Sequence, residues 1–270
     1  MGEAELVANT DRPRTRDGLA ADLRALGVRT DDVLLVHSSL SAVGWVAGGA
    51  VAVVHALQDA VGYDGTLVVP THTSGLTDPA RWAHPPVPPA WVPAIRKSTP
   101  AFDPALFPSR RMGAIAEALR TWPGALRSNH PHVSFAAWGR HAEQVTADHA
   151  LSHSLGDGSP LARTLDLGGR VLLLGTRNCT TLHLAETRAG TSPIITQGAA
   201  VTVAGERRWV TFDDVDHDDT HFDRVLTEFC AQQGIRPGLV GSAESLLLDQ
   251  SDLVDFATVR LAELSTERAS

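Results

Sequence analysis

The chain has 270 residues, of which 43% are hydrophobic and 20% charged, as is ordinary for a globular protein. The formal net charge of −8 disfavours nucleic acid as a partner and favours cationic or neutral ones. No apolar run is long enough to span a membrane, and the N-terminus lacks the apolar core of a signal peptide. Two cysteines are too few for a disulfide-rich fold. We therefore expect a cytoplasmic protein without membrane contact.

Helices and short buried strands are predicted to alternate along the first part of the chain. Apolar residues at every third or fourth position indicate helices, and short apolar runs between turn residues indicate buried strands. In chain order these patterns predict frayed residues 1–16, a helix over 17–26, a strand over 33–36, a helix over 50–61 with Val51, Val54, Leu57 and Val61 as its apolar stripe, and a strand over 66–69. This alternation is typical of an α/β sheet.

A proline-rich segment interrupts the alternation. Residues 70–108 hold ten of the 16 prolines, together with Trp82 and Trp91. Proline disrupts helix interiors and central strands, so this segment is predicted to be a long loop. Its aromatic residues favour an ordered loop, and we expect it to form one wall of a cleft.

Beyond the proline-rich segment the same patterns resume. In order they predict a helix over 112–121, a loop over 127–131, a strand over 134–138, a helix over 142–148, a helix from Ser159 and Pro160 to Gly168, a strand over 171–174, a hairpin of 200–203 with 208–212, a helix over 221–232, and a last helix capped by Ser251 with Val259 among its apolar positions. Because we find no internal repeat and no linker, the chain is predicted to form one domain, residues 1–270.

The strand over 171–174 leads into one further predicted helix. Gly175 permits a sharp turn after the strand. The hydroxyl of Thr180 or Thr181 can then cap the first helical turn, and Gly190 ends the helix.

Two side chains on this helix are candidates for general acid–base catalysis. His183 and Glu186 are three residues apart, so they share one face near the helix start. Ligands of open α/β sheets bind where strands end and helices begin, which places this pair at a functional position. The alternative is a half-exposed His–Glu pair on a surface helix, and spacing alone does not decide between the two.

A second polar stretch follows the strand over 33–36. His37 and Ser38 are adjacent on a strand and point to opposite faces, and no G-x-S-x-G elbow exists, so a Ser-His-Asp hydrolase is not supported. We interpret the loop formed by His37, Ser38 and Ser39 as the lining of a cofactor channel. A polar loop at a strand end is the alternative.

Two histidines in an acidic segment form another candidate site. His217 and His221 have the i, i+4 spacing of zinc ligands on a helix, which leaves a zinc hydrolase as an alternative. Five of the seven residues over 213–219 are Asp, however, and carboxylates suit harder cations. We favour an acidic patch that attracts a polycation, and we predict no metal; a solvated acidic turn is the remaining alternative.

A phosphate site is predicted just before the helix over 112–121. Arg110 and Arg111 there precede Met112 and Gly113, and two guanidinium groups beside free N–H groups suit a phosphate. A pair of surface arginines is the alternative. Asp78 in the proline-rich segment is a candidate second carboxylate for a cation, although a lone loop Asp is usually a turn residue.

Eight motifs together resemble those of the aminoglycoside 3-N-acetyltransferases. They follow that family's order and cover about residues 17–235. They are His37-Ser38-Ser39-Leu40-Ser41, 65–71, Phe102-Asp103-Pro104, 110–113, 128–131 with 134–139, 159–163, 171–175 and the most similar block, Thr180-Thr181-Leu182-His183-Leu184-Ala185-Glu186. The segment between Gly175 and Thr180 is shorter than in typical members and lacks their usual Gly-His-Asp.

The resemblance implies an α/β/α sandwich-like domain, distinct from the fold of the common small N-acetyltransferases. It implies acetyl transfer from acetyl-coenzyme A to the 3-amino group of the 2-deoxystreptamine ring of an aminoglycoside antibiotic, conferring resistance. His183 is then the general base, Glu186 the carboxylate that orients it, and His37 a neighbour of the transfer site. We expect a monomer or a homodimer.

The resemblance also implies two sets of binding residues. The coenzyme is expected to contact Ser38, Ser39, Leu40, Thr71, Ser109, Arg110, Arg111, Met112, Gly113, Ser134 and Phe135. The ammonium groups of the aminoglycoside are expected to contact Asp78, Asp214, Asp216 and His217. Backbone N–H groups or a hydroxyl near Ser38 are expected to stabilise the oxyanion. A binding module for cations without catalytic activity, and an enzyme for another amine acceptor, remain as rival interpretations.

Overall fold

The computed structural model describes residues 2–269, so residues 1 and 270 of the predicted domain lie outside it. The first elements are α1 (Glu3–Ala8), α2 (Arg16–Leu26), β1 (Val33–Ser38), α3 (Leu40–Val43), α4 (Gly49–Val61) and β2 (Thr66–Pro70). The elements that follow are α5 (Val92–Ser98), α6 (Gly113–Arg120), β3 (Leu126–Arg127), β4 (Phe135–Gly139), α7 (Ala142–Thr146), α8 (Pro160–Asp166), β5 (Arg170–Leu174), α9 (Thr181–Ala189), β6 (Ile194–Val203), β7 (Glu206–Val215), α10 (Phe222–Gln233), β8 (Gly238–Val240), β9 (Ala243–Asp249) and α11 (Gln250–Ala269).

The main sheet has a parallel centre with antiparallel flanks. Its strand order is β3-β4-β2-β1-β5-β9-β8, and β6 pairs with β7 in a separate hairpin. Strand β1 pairs in parallel with β2 and with β5, whereas the outer strand pairs are antiparallel. Parallel neighbours need a crossover connection, which α3 and α4 supply between β1 and β2. The carboxyl ends of β1, β2 and β5 therefore meet at one edge of the sheet.

Helices cover both faces of this sheet, which confirms the predicted α/β/α arrangement. Along β1, Leu34 and Val36 pack into one hydrophobic core with α2, α4 and α6. The alternate residues Val33 and Leu35 pack into a second core with α7 to α11. Because successive side chains of a strand point to opposite faces, a fully apolar strand needs two such cores.

Most predicted elements are confirmed, but some helix details are wrong. Val51 and Val259 were assigned to apolar stripes, yet their side chains are 51% and 61% exposed. Ser251 does not cap the last helix; Asp249 does, because its Oδ1 accepts from the N–H groups of Ser251 and Asp252 at 2.9 and 3.1 Å. The strands β3, β8 and β9 were not predicted, and Arg127 of β3 was assigned to a loop.

The segment before α2 contains regular structure where fraying was expected. Helix α1 lies within it, and the backbone of Arg14 pairs with the segment around Val46. Among residues 2–269, no helix is both long and apolar enough to cross a bilayer.

The proline-rich segment is more regular than the predicted loop. It contains 3₁₀ turns at Ser74–Leu76, Pro79–Arg81 and Pro89–Trp91, and α5. Arg127 fastens it to the sheet by donating to the carbonyl oxygens of Thr71 and Pro104 at 2.7 and 3.0 Å. The segment is thus ordered, as its aromatic residues suggested.

Candidate active site

Helix α9 starts at the carboxyl edge of the parallel strands and carries the predicted catalytic pair. Gly175 makes the turn after β5 with φ +66°, and a Cβ there would lie 2.4 Å from that of Ala42. Gly190 ends α9 in the left-handed conformation, as predicted. On one face of α9, Nδ1 of His183 lies 2.9 Å from Oε2 of Glu186. The sequence therefore placed this pair correctly.

The carboxylate of Glu186 is the hub of the site. Its Oε2 accepts from Nδ1 of His183 and also from Nδ1 of His217 at 2.8 Å. Its Oε1 accepts from the hydroxyl of Ser192 at 2.5 Å and from the N–H of Asp218 at 2.7 Å. Burial alone would raise the pKa of Glu186, but the hydrogen bonds from His183, His217 and Ser192 outweigh burial and lower it. Glu186 is therefore ionised at neutral pH.

The β6–β7 hairpin brings the partners of Glu186 together. Ser192 precedes β6 and His217 follows β7, and the two strands pair in register from Ile194 with Val215. The N–H of Asp216 donates to the carbonyl of Pro193 at 2.9 Å and closes the base of the hairpin. His217, which is 31 positions beyond Glu186 in the chain, is thus held in contact with the Glu186 carboxylate.

These contacts fix which nitrogen of His183 carries a proton. A carboxylate only accepts hydrogen bonds, so Nδ1 of His183 must be the donor. Burial lowers the pKa of His183, and the bond to Glu186 only partly opposes this. A neutral ring protonated at Nδ1 keeps a lone pair on Nε2. The side chain of His183 is 18% exposed, so the ring is not fully enclosed by the protein.

His37 lies close to His183 at the end of β1. It is buried, and burial together with the nearby His183 lowers its pKa to about 3, so the ring is neutral at pH 7. Its Nε2 lies 3.2 Å from the hydroxyl oxygen of Thr180. The predicted cap by Thr180 or Thr181 is wrong, since the side chain of Thr180 makes no hydrogen bond to the first turn and Thr181 is already the first residue of α9.

A cavity of about 470 Å³ opens beside His37 and collects most of the predicted coenzyme residues. Those it brings together are Ser38, Ser39, Leu40, Arg111, Met112 and Gly113. The lining residues that sequence reasoning missed are Val36, Ser41, Pro70, Ala116, Gly175, Thr176, Asn178 and Thr180. The segment after β5 follows a parallel strand at the ligand-binding edge, and that topological signal could have identified it.

Arg110 and Arg111 extend this region toward the proline-rich segment. Both border a second cavity of about 320 Å³, whose walls include Trp82 and Pro85. Arg111 borders both cavities and adopts a left-handed backbone, with φ +62°. Ser109 does not line either cavity; its hydroxyl donates to Oε2 of Glu117 at 2.6 Å.

Three other predicted coenzyme residues are structural. Nε of Arg127 donates to the hydroxyl oxygens of Thr71 and Ser134 at 3.1 and 3.0 Å, so both hydroxyls anchor this arginine. Phe135 is fully buried in the core on one face of the sheet. None of Thr71, Ser134 and Phe135 lines the cavity beside His37.

Two of the predicted cation-binding carboxylates already have partners within the chain. Asp78 is 7% exposed and bonds Arg96, with its Oδ2 2.7 Å from Nη2. Asp214 is 5% exposed and accepts from the N–H and the hydroxyl of Ser154 at 2.8 and 2.7 Å. The structure therefore does not bring these two carboxylates to the site.

Asp216 differs from these carboxylates because it is exposed and lies close to the residues around Glu186. Its side chain is 53% exposed, and its Oδ1 lies 3.6 Å from Nη2 of Arg81. It directly precedes His217, whose ring centroid lies 4.6 Å from that of His183. Asp219 also lies near enough to raise the pKa of His183.

The structure does not support the alternative of a helical zinc pair formed by His217 and His221. His217 lies in the loop before α10, which begins at Phe222, so the two rings do not share a helix face. Among the described residues, the trio with metal-ligand proximity is His183, Glu186 and His217, whose ligand atoms lie within 4.8 Å of one another. Within this trio, Glu186 already accepts from Nδ1 of both histidines.

Comparison with known sequences identifies the relatives of this chain. A family profile described as aminoglycoside 3-N-acetyltransferase matches residues 35–262. The chain is 42% identical over 256 residues to the SPbeta prophage-derived aminoglycoside N(3')-acetyltransferase-like protein YokD of Bacillus subtilis (strain 168), covering 94% of each protein. It is 40% identical to aminoglycoside N(3)-acetyltransferase VII of Streptomyces paromomycinus, with 99% of each covered.

Solved structures show the same fold. The crystal structure of YokD superposes with a TM-score of 0.95 at 40% identity, over 97% of this chain and 98% of YokD. AAC-IIIb in a binary complex with CoASH gives 0.83 at 35% identity, over 94% and 98%. Sisomicin-bound AAC-VIa gives 0.84 at 34% identity, over 94% and 99%. The chain therefore belongs to the aminoglycoside 3-N-acetyltransferase family and is an acetyltransferase.

Proposed function

We propose that this protein transfers acetyl from acetyl-coenzyme A to the 3-amino group of the 2-deoxystreptamine ring of aminoglycosides, and thereby confers resistance. The observation that carries the proposal is His183, whose Nδ1 is held by ionised Glu186 and whose Nε2 keeps its lone pair. On the sequence grounds given above, the reaction takes place in the cytoplasm.

The amine must lose a proton before or during its attack. At neutral pH the amines of an aminoglycoside are largely protonated, and an ammonium group has no lone pair to attack a carbonyl carbon. One proton of the ammonium group is lost to solvent. As the resulting neutral amine attacks, Nε2 of His183 accepts a second proton from its nitrogen, and the imidazolium formed is stabilised by Glu186. The same proton can then pass to the departing thiolate. This direct transfer uses no metal.

The coenzyme is assigned to the cavity beside His37. The lining of the cavity supports this assignment, because Arg111 supplies a guanidinium group and the segment before α6 supplies N–H groups, both of which suit a diphosphate. AAC-IIIb, a structural relative of this chain, has been solved with CoASH. Thr180, at the start of α9, borders the cavity and lies one helical turn before His183.

The remaining ammonium groups of the substrate are assigned to the exposed carboxylates near His217. Asp216 and Asp219 lie beside the hub, and the net charge of −8 favours a polycation over long range. AAC-VIa, which shares the fold, has been solved with sisomicin bound. Arg81 lies against Asp216, so a substrate ammonium group would have to compete with this guanidinium group.

The proposal is tested by measuring thiol release from acetyl-coenzyme A with a panel of aminoglycosides. We expect release that depends on the aminoglycoside, and a product whose NMR spectrum places the acetyl group on the 3-amino nitrogen. Binding of aminoglycosides without thiol release would instead indicate a cation-binding module. Acetylation at another nitrogen would contradict the proposed site of transfer.

A further inference from the structure

The hydroxyl of Thr180 is not used for the structural role that its position predicts. An N-cap threonine usually accepts a hydrogen bond from the first helical turn, but Thr180 makes no such bond. The N–H of Leu182 donates instead to the carbonyl oxygen of Cys179, at 3.1 Å. The Thr180 hydroxyl is therefore left to bond Nε2 of His37 and to border the cavity beside it.

Thr180 also lies on the same face of α9 as His183 and Glu186. Its backbone is helical, with φ −65° and ψ −19°, and its carbonyl accepts from the N–H of His183 at 3.0 Å. Residues three apart on a helix are neighbours on its surface. One face of α9 thus presents, in order, the Thr180 hydroxyl, the His183 imidazole and the Glu186 carboxylate. A hydroxyl group and a base therefore share this face of the helix.

The protonation of His37 decides whether Thr180 can donate into the cavity. The buried His37 ring is neutral at pH 7, because burial lowers its pKa to about 3, and a neutral imidazole carries one proton. If that proton is on Nε2, His37 donates to the Thr180 oxygen and the threonine keeps its own hydrogen. If the proton is on Nδ1, the hydrogen of Thr180 is used on His37 instead.

The geometry points to Thr180 as a catalytic residue that donates a hydrogen bond to the thioester carbonyl oxygen, with His37, protonated at Nε2, as the residue that positions it. When the amine nitrogen bonds the carbonyl carbon, the C=O electron pair moves onto the oxygen, and the Thr180 O–H stabilises this charge without giving up its proton. When the intermediate collapses, the C–S bond breaks and the sulfur takes the proton that His183 received from the amine. This assignment rests on the proposed function and replaces the hydroxyl expected near Ser38.

Substitutions of Thr180 test the assignment. Thr180→Val keeps the shape and removes the donor, and we expect kcat to fall by about 10²–10³ with the KM values little changed. Thr180→Ser restores the donor and should recover most of the lost rate. Thr187→Val is the matched control on the same helix, because the Thr187 hydroxyl bonds only the carbonyl of His183 within α9, at 2.8 Å. Its kcat should stay within about threefold of wild type.

A spectroscopic measurement tests the positioning role of His37. Ring ¹⁵N chemical shifts distinguish the protonated nitrogen from the unprotonated one, and the His37 signals are assigned by their loss in His37→Asn or their displacement in Thr180→Ser. We expect the proton on Nε2. A proton on Nδ1, or a Thr180→Val enzyme with wild-type kcat, would overturn the inference.

The two proposals fail in different ways. Wild-type protein that releases no thiol with any aminoglycoside would end the proposed function, and the NMR measurement, which needs no substrate, would still decide the protonation of His37. Active wild type with an equally active Thr180→Val variant would end only the role of Thr180.

Discussion

Nδ1 of His217 lies 2.8 Å from Oε2 of Glu186, the oxygen that also accepts from His183. The two residues are 31 positions apart and meet because the β6–β7 hairpin returns the chain to α9. Glu186 therefore does more than orient one imidazole. It joins the base on α9 to the loop that carries the exposed acidic residues.

Removing the charge of Glu186 should shift the pH dependence of the reaction. The carboxylate raises the pKa of His183 against the effect of burial, so Glu186→Gln should lower that pKa further. The acidic limb of the kcat/KM–pH profile should then move to lower pH, and kcat should fall by about 10²–10⁴ because the base loses its orienting partner. Glu244→Gln, an exposed carboxylate on β9, serves as the control. A reduced rate with an unmoved or more alkaline limb would contradict this role.

Asp216 should affect binding of the polycation more than turnover. Its side chain is exposed, so Asp216→Asn should mainly raise KM for the aminoglycoside, and the increase should be larger at low salt, where charges are less screened. Asp64→Asn is the matched control, because Asp64 is similarly exposed and pairs with an arginine, Arg140, at 3.5 Å. A change confined to kcat would exclude Asp216 as a cation-binding residue.

Arg111 should matter more for the coenzyme than Arg110. Arg111 borders both cavities, whereas Arg110 borders only the smaller one. Arg111→Ala keeps a side chain at a left-handed position, so it removes the guanidinium group without relieving backbone strain. We expect KM for acetyl-coenzyme A to rise by roughly tenfold, the loss of a charge-assisted hydrogen bond. An unchanged KM, with Arg140→Ala as control, would remove Arg111 from the coenzyme site.

Buried histidines should make the fold sensitive to acid. Burial lowers the pKa values of His37, His72 and His149 to about 3, 3 and 4, well below the value of an unfolded chain. Between these values and about pH 6.5 the unfolded chain binds more protons, so the free energy of unfolding falls as the pH falls. The loss is about 1.4 kcal/mol per group for each pH unit. Urea unfolding at about pH 7, 6 and 5 measures it; a constant free energy would contradict these buried neutral rings.

The sequence predicted what depends on local patterns. Short apolar runs predicted the strands β1, β2, β4 and β5, helical periodicity predicted most of the helices, and the three-residue spacing of His183 and Glu186 placed them on one face. Local patterns could not show that His217 meets Glu186, because that contact depends on how the hairpin folds back. They also could not show that Arg96 forms an ion pair with Asp78, since the two residues are 18 positions apart across a loop.

Resemblance to a family had a related limit. A motif contains residues that build the site and residues that support it, and the sequence does not separate them. Thr71 and Ser134 lie in such motifs, yet their hydroxyls anchor Arg127. Thr180 was interpreted as a helix cap, and only the bond to His37 and the cavity beside it indicate another role.

The kcat of His183→Ala, measured at saturating acetyl-coenzyme A and aminoglycoside, tests the central claim most directly. His141→Ala is the control, because the His141 side chain makes no hydrogen bond to the helix that it precedes. If His183 is the general base, its removal should lower kcat by about 10²–10⁴ while the protein stays folded. A folded His183→Ala enzyme with near wild-type kcat would contradict the account.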